Sequence, residues 1–324
     1  MRVPHLALTG LLLALVALAG CRRDDDQAGP PPVAATPDAA VHALAARLQA
    51  RDLQGFSQLA LPPALRAQVA ERWNAEQAAK PAPSAEDQAE FAAQMERLTA
   101  PGAEDALYAE LEPQLAQWER EFAAQAPIAM GMLTGLANVA INRSETLSEA
   151  QKRHASGIVG ALSGWAMEAP LTDRERARDA VAVTVETARA LDLPTADDVM
   201  ALDFDAALAR GGVLLDGAFR VVALYGLDLD ASLDGMETEI VAQEDDTALV
   251  RVNYTLAGRP LQFDMPMVQH DGLWYSADAI ESAERRLAEP LDADAPDTIP
   301  TETPDAPEAG SGTVRAAAPA PAKG

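Results

Sequence analysis

The feature that most constrains this chain is a change in hydrophobic period near residue 236. Before it, apolar residues such as Val41, Leu44 and Leu48 recur every three to four positions, the spacing of one face of an α-helix. After it, apolar and polar residues alternate, as from Val250 to Leu256, which predicts strands with one buried face. We therefore predict an α+β fold, mainly α, with a C-terminal antiparallel meander of three or four strands packed on helices.

Capping residues predict where the helices begin. A Ser, Thr or Asp before an apolar stripe can accept a hydrogen bond from the first turn, and Pro suits the first helical position. We expect starts at five places, the last two with the spacing of a capping box: Thr36-Pro37, Asp52, Thr195, Ser148 with Gln151, and Thr172 with Glu175. A long helix is also expected over residues 203–225.

The segment Pro127–Ile141 is almost wholly apolar. It is too short to span a bilayer, so we predict a buried central helix. Pro113 lies inside the preceding apolar stripe, and we expect it to kink or divide that helix because proline cannot donate the helical hydrogen bond.

Turn residues divide the C-terminal part into strands. Gly258 and Asp271-Gly272 predict two tight turns, and a closing helix is expected over residues 278–287. Pro266 lies inside the second alternating run, so we expect a sheet edge or a bulge at that point.

Charge and cysteine content exclude several classes of function. The chain has 25 basic and 50 acidic residues, a net charge of −25, which repels phosphate backbones and argues against a nucleic-acid partner. Its single cysteine excludes an intramolecular disulfide and any multi-cysteine metal site.

The N-terminus is typical of a secretory signal peptide. A basic start at Arg2 precedes the apolar run Leu6–Ala19, which ends in the residues Leu-Ala-Gly followed by Cys21. This segment resembles the lipobox of bacterial lipoproteins. The resemblance implies that residues 1–20 are removed and that Cys21 carries acyl chains such as palmitate, which anchor the chain to a membrane. Arg22 after the cysteine points to the outer membrane, with the chain facing the periplasm.

Composition predicts how the rest is organised. Residues 21–35 form a lipidated, proline-rich tether, and residues 289–324 form a disordered acidic tail rich in proline and alanine. Between them we expect a helical region over 36–235 and a sheet with its closing helix over 236–288, packed on the helical region. The whole resembles Ala-rich envelope lipoproteins of Gram-negative bacteria, and that resemblance implies no activity.

Residues 36–60 and 236–276 resemble parts of an NTF2-like domain. The first range carries Ala-Arg-Asp-Leu before Phe56, and the second ends in alternating strands, Asp-Gly and Trp-Tyr. In that family a curled sheet and helices enclose a cone-shaped pocket. The resemblance implies a candidate pocket lined by Tyr254, Phe263, Met265 and Trp274. The alternative is that these four side chains are plain core.

Motifs for catalysis or metal binding are lacking in the sequence. His42, His154 and His270 lie too far apart for zinc-type helical spacing, and His154 is expected in a core or between helices. No G-x-S-x-G or phosphate-binding glycine motif occurs. The run from Asp228 to Glu239 resembles the 12-residue calcium-binding loop of an EF-hand. Leu233 stands at the sixth position, where that loop needs glycine, so we predict a solvated loop between a helix and a strand instead. No metal or cofactor is expected.

These observations favour a non-enzymatic, lipid-anchored envelope protein with a binding or assembly role. Its expected partners are the membrane, through the acyl chains, and an envelope protein. One alternative is an NTF2-like pocket that binds a small apolar ligand, which open space beside Tyr254 and Trp274 would favour. Another is a hydrolase with an unrecognised carboxylate site, which convergent buried carboxylates would favour. A filled core would favour the first hypothesis.

Overall fold

The computed structural model describes residues 36–290, apart from the side chains of residues 121–126. The described chain is α+β and mainly α, as predicted, and all of it belongs to one compact unit. The helices are α1 (Pro37–Gln49), α2 (Leu53–Ala60), α3 (Pro63–Ala79), α4 (Ala85–Thr99), α5 (Ala103–Arg143), α6 (Glu149–Glu168), α7 (Arg174–Leu191), α8 (Ala196–Met200), α9 (Phe204–Leu224), α10 (Leu229–Asp234) and α11 (Ala277–Ala288). The strands are β1 (Glu237–Glu244), β2 (Thr247–Leu256), β3 (Arg259–His270) and β4 (Leu273–Ser276).

The four strands form an antiparallel meander in the order β1-β2-β3-β4. The predicted turns are confirmed: residues 257 and 258 have φ of 49° and 74°, and residues 271 and 272 have φ of 51° and 82°. Positive φ at both positions is the type I′ geometry that matches the twist of a two-residue hairpin, and glycine adopts it at little cost.

Pro266 lies in β3 opposite Leu249 of β2, with no shift of register there. The ladder between β3 and β4 begins only at Met267, so Pro266 lies just beyond it, on an open edge. The expected edge is therefore confirmed. The register shift of this sheet lies between Ile240 and Ala242 of β1 instead.

The main core lies between α1 and one face of the sheet. Alternate residues of β2 and β3 point to this face, where Val250 is fully buried against Val41 of α1. The other face carries the polar pair of Arg251 and Asp264, in which Arg251 donates two hydrogen bonds of 2.8 and 3.1 Å to Asp264 on the neighbouring strand. Two turns further along α1, Leu48 enters a second core, where it packs with Leu215 and Phe219 of α9. One helix thus joins the sheet to the helical body.

Most predicted helix starts are confirmed. Asp52 accepts a hydrogen bond of 2.7 Å from the backbone of Gly55, and Ser148 and Thr195 each form a capping box. The expected box of Thr172 with Glu175 is wrong by one residue, because the side chain of Asp173 accepts the bond from the backbone of Arg176. Two adjacent residues can both cap a helix, and their order in the sequence does not decide which one does.

One prediction for the 41-residue helix α5 is wrong, that of a buried central helix. The helix continues through Pro113 as one element, so this proline does not divide it. Its second half, Pro127–Arg143, includes the segment predicted to be a buried central helix, yet it packs on α6 along one side only. Thr134 lies on that side, and its hydroxyl is 2.8 Å from the hydroxyl of Ser163. No helix within residues 36–290 is long and apolar enough to cross a membrane.

Candidate functional site

Strands β2 and β3 bring the four predicted pocket residues to one face of the sheet. Phe263 pairs with Val252, and Met265 pairs with Val250, so all four side chains share the face that α1 covers. Trp274 is 4% exposed and belongs to the main core, whereas Tyr254, Phe263 and Met265 are half-buried and pack against that core. The strands therefore bring all four residues to the main core, which is the alternative that the sequence left open beside a pocket.

The side chain that joins this group from outside the sheet is His154 of α6. Its Nε2 atom is 2.8 Å from the Tyr254 hydroxyl, and its ring lies on Phe263 with a centroid separation of 4.7 Å. The sequence predicted a core or interhelical position for His154, and the structure places it between α6 and the sheet. Its partner could not be predicted, because Tyr254 lies 100 residues further along the chain.

Burial keeps both groups of this pair neutral. It lowers the pKa of His154, and it raises the pKa of Tyr254 to about 12. A neutral imidazole and a neutral phenol share one hydrogen bond, whose donor depends on the tautomer of the histidine. A catalytic base would need a substrate proton within reach, and here the Nε2 atom is engaged with Tyr254. The arrangement locks α6 onto the sheet.

An open depression of about 460 Å³ lies elsewhere, between β3 and α11. Pro266, Val268 and Ile280 line it, with the carboxylates of Glu281 and Glu284 at its rim. None of the four predicted pocket residues contributes to it. Both glutamates are exposed, so this depression does not bring together the buried carboxylates that a hydrolase would require.

Half of the run from Asp228 to Glu239 folds as the helix α10 (Leu229–Asp234) rather than as the predicted solvated loop, and Glu239 lies in β1. Asp228 caps α10, and Ser232 is buried within it. Asp230 accepts two hydrogen bonds of 2.9 and 2.8 Å from the guanidinium of Arg51, which also lies 4.1 Å from the Phe219 ring. These carboxylates cap and tie helices together. Among residues 36–290, no three His, Cys, Asp or Glu side chains are grouped so that they could hold a metal ion.

The other two histidines within residues 36–290 lie apart from His154. His42 of α1 has its Nε2 atom 3.0 Å from the hydroxyl of Thr238 on β1. His270 is exposed at the end of β3, as its turn position predicts, and its ring centroid is 6.3 Å from that of Tyr275.

The second half of α5 presents the largest uncovered apolar surface of the described chain. Five large side chains, between 48% and 74% exposed, define what we call the α5 face: Ile128, Met132, Leu133, Leu136 and Val139. Together they present on the order of 500 Å² of apolar surface, which is at the upper end for one patch on a typical monomer. The signal is present in the sequence, since residues 122–142 carry no charge, but lack of charge favours a buried helix and an uncovered face equally.

No protein-family model, curated protein or solved structure matches this chain. The Cys21 lipobox, the tether and the tail lie outside the described residues.

Proposed function

We propose that this chain is a non-enzymatic, lipid-anchored envelope protein that binds another protein through the α5 face. The uncovered apolar surface on α5 carries the proposal, because exposing so many large aliphatic side chains to water is unfavourable unless a partner covers them. The helix holds these side chains in a fixed row, which suits docking to a complementary surface.

The lipobox supports the anchoring part of the proposal. Cys21 is the only cysteine, and it stands at the position where acylation takes place in bacterial lipoproteins. Two or more acyl chains hold a protein stably at a membrane, whereas one chain binds only marginally. Arg22 supports placement at the outer membrane, facing the periplasm.

The packing of the predicted pocket residues supports a binding role over catalysis. Trp274 lies buried in the main core, and the Nε2 atom of His154 is engaged with Tyr254. No observation in the described chain favours a pocket for a small ligand or a hydrolase site.

Fatty-acid labelling in cells tests the anchor. The natural chain should incorporate a labelled fatty acid, and Cys21→Ser should abolish incorporation and block removal of residues 1–20. Labelling that persists in Cys21→Ser would overturn the lipoprotein assignment.

Thiol accessibility tests the docking role. An acylated Cys21 has no free thiol, so Met132→Cys and the control Ala75→Cys would each carry one reactive group, both at exposed positions. In intact envelopes, a water-soluble maleimide should modify position 132 at least about tenfold more slowly than position 75. Equal rates would contradict a covered α5 face.

A further inference from the structure

We propose that a second copy of this chain covers the α5 face, with the two α5 helices packed antiparallel. This inference deepens the proposed function by naming the partner, and it rests on that function only for the statement that the face is covered.

The α5 face contains a short coiled-coil seam. Ile128, Met132, Gly135 and Val139 follow one another at intervals of four, three and four residues, the alternation of core positions in helices that pack along their length. All four are exposed, while Met130 and Thr134 on the opposite side are half-buried toward α6. The seam is therefore separate from the side that α5 already uses.

The seam is complementary to itself in one orientation. When Met132 of one copy lies opposite Gly135 of the other, Ile128 lies opposite Val139. The long side chain of Met132 then faces the hollow at Gly135, and the two β-branched residues face each other. A Cβ atom built on Gly135 would find nothing within 4 Å, so the hollow at this glycine is open in the monomer. A glycine on a contact face lets a facing side chain approach the helix backbone closely.

The distribution of charge along α5 favours contact at this face and an antiparallel pair. The chain carries a net charge of −25, so two copies repel each other over most of their surface. The stretch 122–142 is uncharged and permits contact, and Arg143 follows directly after it. A parallel pair would bring the two Arg143 side chains together, whereas the antiparallel pair places them at opposite ends.

The available area fits a dimer of moderate affinity. A standard interface buries about 800 Å² per partner, and the apolar side chains of the α5 face supply more than half of that. A membrane surface fits less well, because helices that lie on membranes combine an apolar face with many Lys and Arg residues. Here Arg143 is the only basic residue between Arg120 and Lys152.

Sedimentation of the chain from residue 22 onward tests the dimer. We expect a reversible dimer with a dissociation constant of about 1–50 µM. Gly135→Leu, which fills the hollow, and Met132→Glu, which places a charge in the seam, should each weaken it at least tenfold. Ala75→Glu on α3 is the matched control and should leave it unchanged. Thermal melts should show all three variants folded, because each position is exposed in the monomer.

Disulfide trapping tests the orientation, since the chain from residue 22 has no cysteine. A mixture of Ile128→Cys and Val139→Cys chains should oxidise to a mixed dimer at least tenfold faster than Ile128→Cys alone. In the antiparallel pair the two copies of residue 128 are about 16 Å apart along the helix axis, too far for a disulfide.

Three outcomes would overturn the inference. The first is a chain that remains monomeric at about 100 µM. The second is rapid trapping of Ile128→Cys with itself, which indicates a parallel pair. The third is a monomer that binds phosphatidylcholine vesicles through the α5 face, lost in Met132→Glu. The proposed function fails separately, through fatty-acid labelling of Cys21→Ser or through equal thiol accessibility in envelopes.

Discussion

Replacement of Trp274 by alanine tests whether the sheet face is core or pocket. The residue is 4% exposed and packs with Val41, Val250 and Met267 in the main core. A buried tryptophan removes about 200–250 Å² from water, which at about 25 cal/mol per Å² gives roughly 5–6 kcal/mol as an upper bound. Large-to-small replacements in cores cost about 3–5 kcal/mol, so we expect Trp274→Ala to lower the free energy of unfolding by about 4 kcal/mol.

Urea unfolding followed by circular dichroism measures this cost. At a urea dependence of about 3 kcal/mol per molar, the midpoint should fall by roughly 1.3 M. Trp118→Ala is the matched control, because this tryptophan is 50% exposed on α5, and its loss should cost less than about 1 kcal/mol. A cost below about 1 kcal/mol for Trp274→Ala would refute the assignment of this residue to the core. Saturable quenching of its fluorescence by an apolar ligand would then favour the pocket.

Three further predictions follow from the packing of the body. Burial lowers the pKa of His154, so the unfolded chain takes up a proton at a higher pH than the folded chain does. The free energy of unfolding should therefore decline as pH falls below about 6.5. Urea midpoints measured from about pH 7.5 to 5.5 should depend less on pH in His154→Gln than in the natural chain. Gly212→Ala should lower the free energy of unfolding by at least about 2 kcal/mol, because the new Cβ would lie 2.3 Å from the Arg51 carbonyl oxygen. Gly131→Ala is the control, because a Cβ there would find nothing within 4 Å. In the same urea melts it should raise the free energy of unfolding by about 0.5–1 kcal/mol. A chain trimmed to residues 36–290 should melt within a few degrees of the mature chain. A chain that ends at residue 288 should melt at a lower temperature than that one. It loses two hydrogen bonds, which Arg72 donates to the backbone carbonyls of Glu289 and Pro290.

Local sequence signals predicted the fold well. The Asp-Gly turn at 271–272 gave the last hairpin, and the change of period near residue 236 gave the start of the sheet, because both depend on a few neighbouring residues. Ser148 and Asp52 act on the backbone three residues away, so their roles as caps could be identified without knowledge of the tertiary structure.

Contacts between distant segments were not predictable in the same way. An apolar helix such as the second half of α5 is equally consistent with burial inside one chain and with an uncovered face, since periodicity does not say how many neighbours surround it. The Ala-Arg-Asp-Leu run that contains Arg51 did not indicate what this side chain contacts. Its position, with φ of 57° and with Asp230 as partner, depends on how α1, α9 and α10 pack.

Photo-cross-linking in intact cells tests the central claim most directly, because it identifies what lies on the α5 face. A photoreactive amino acid at position 136 in the acylated chain should yield a discrete protein adduct, and the same residue at position 75 should yield none above background. We predict an adduct with twice the mass of the chain, composed of two copies. Adducts of equal yield from positions 75 and 136, or no protein adduct from position 136, would contradict the account.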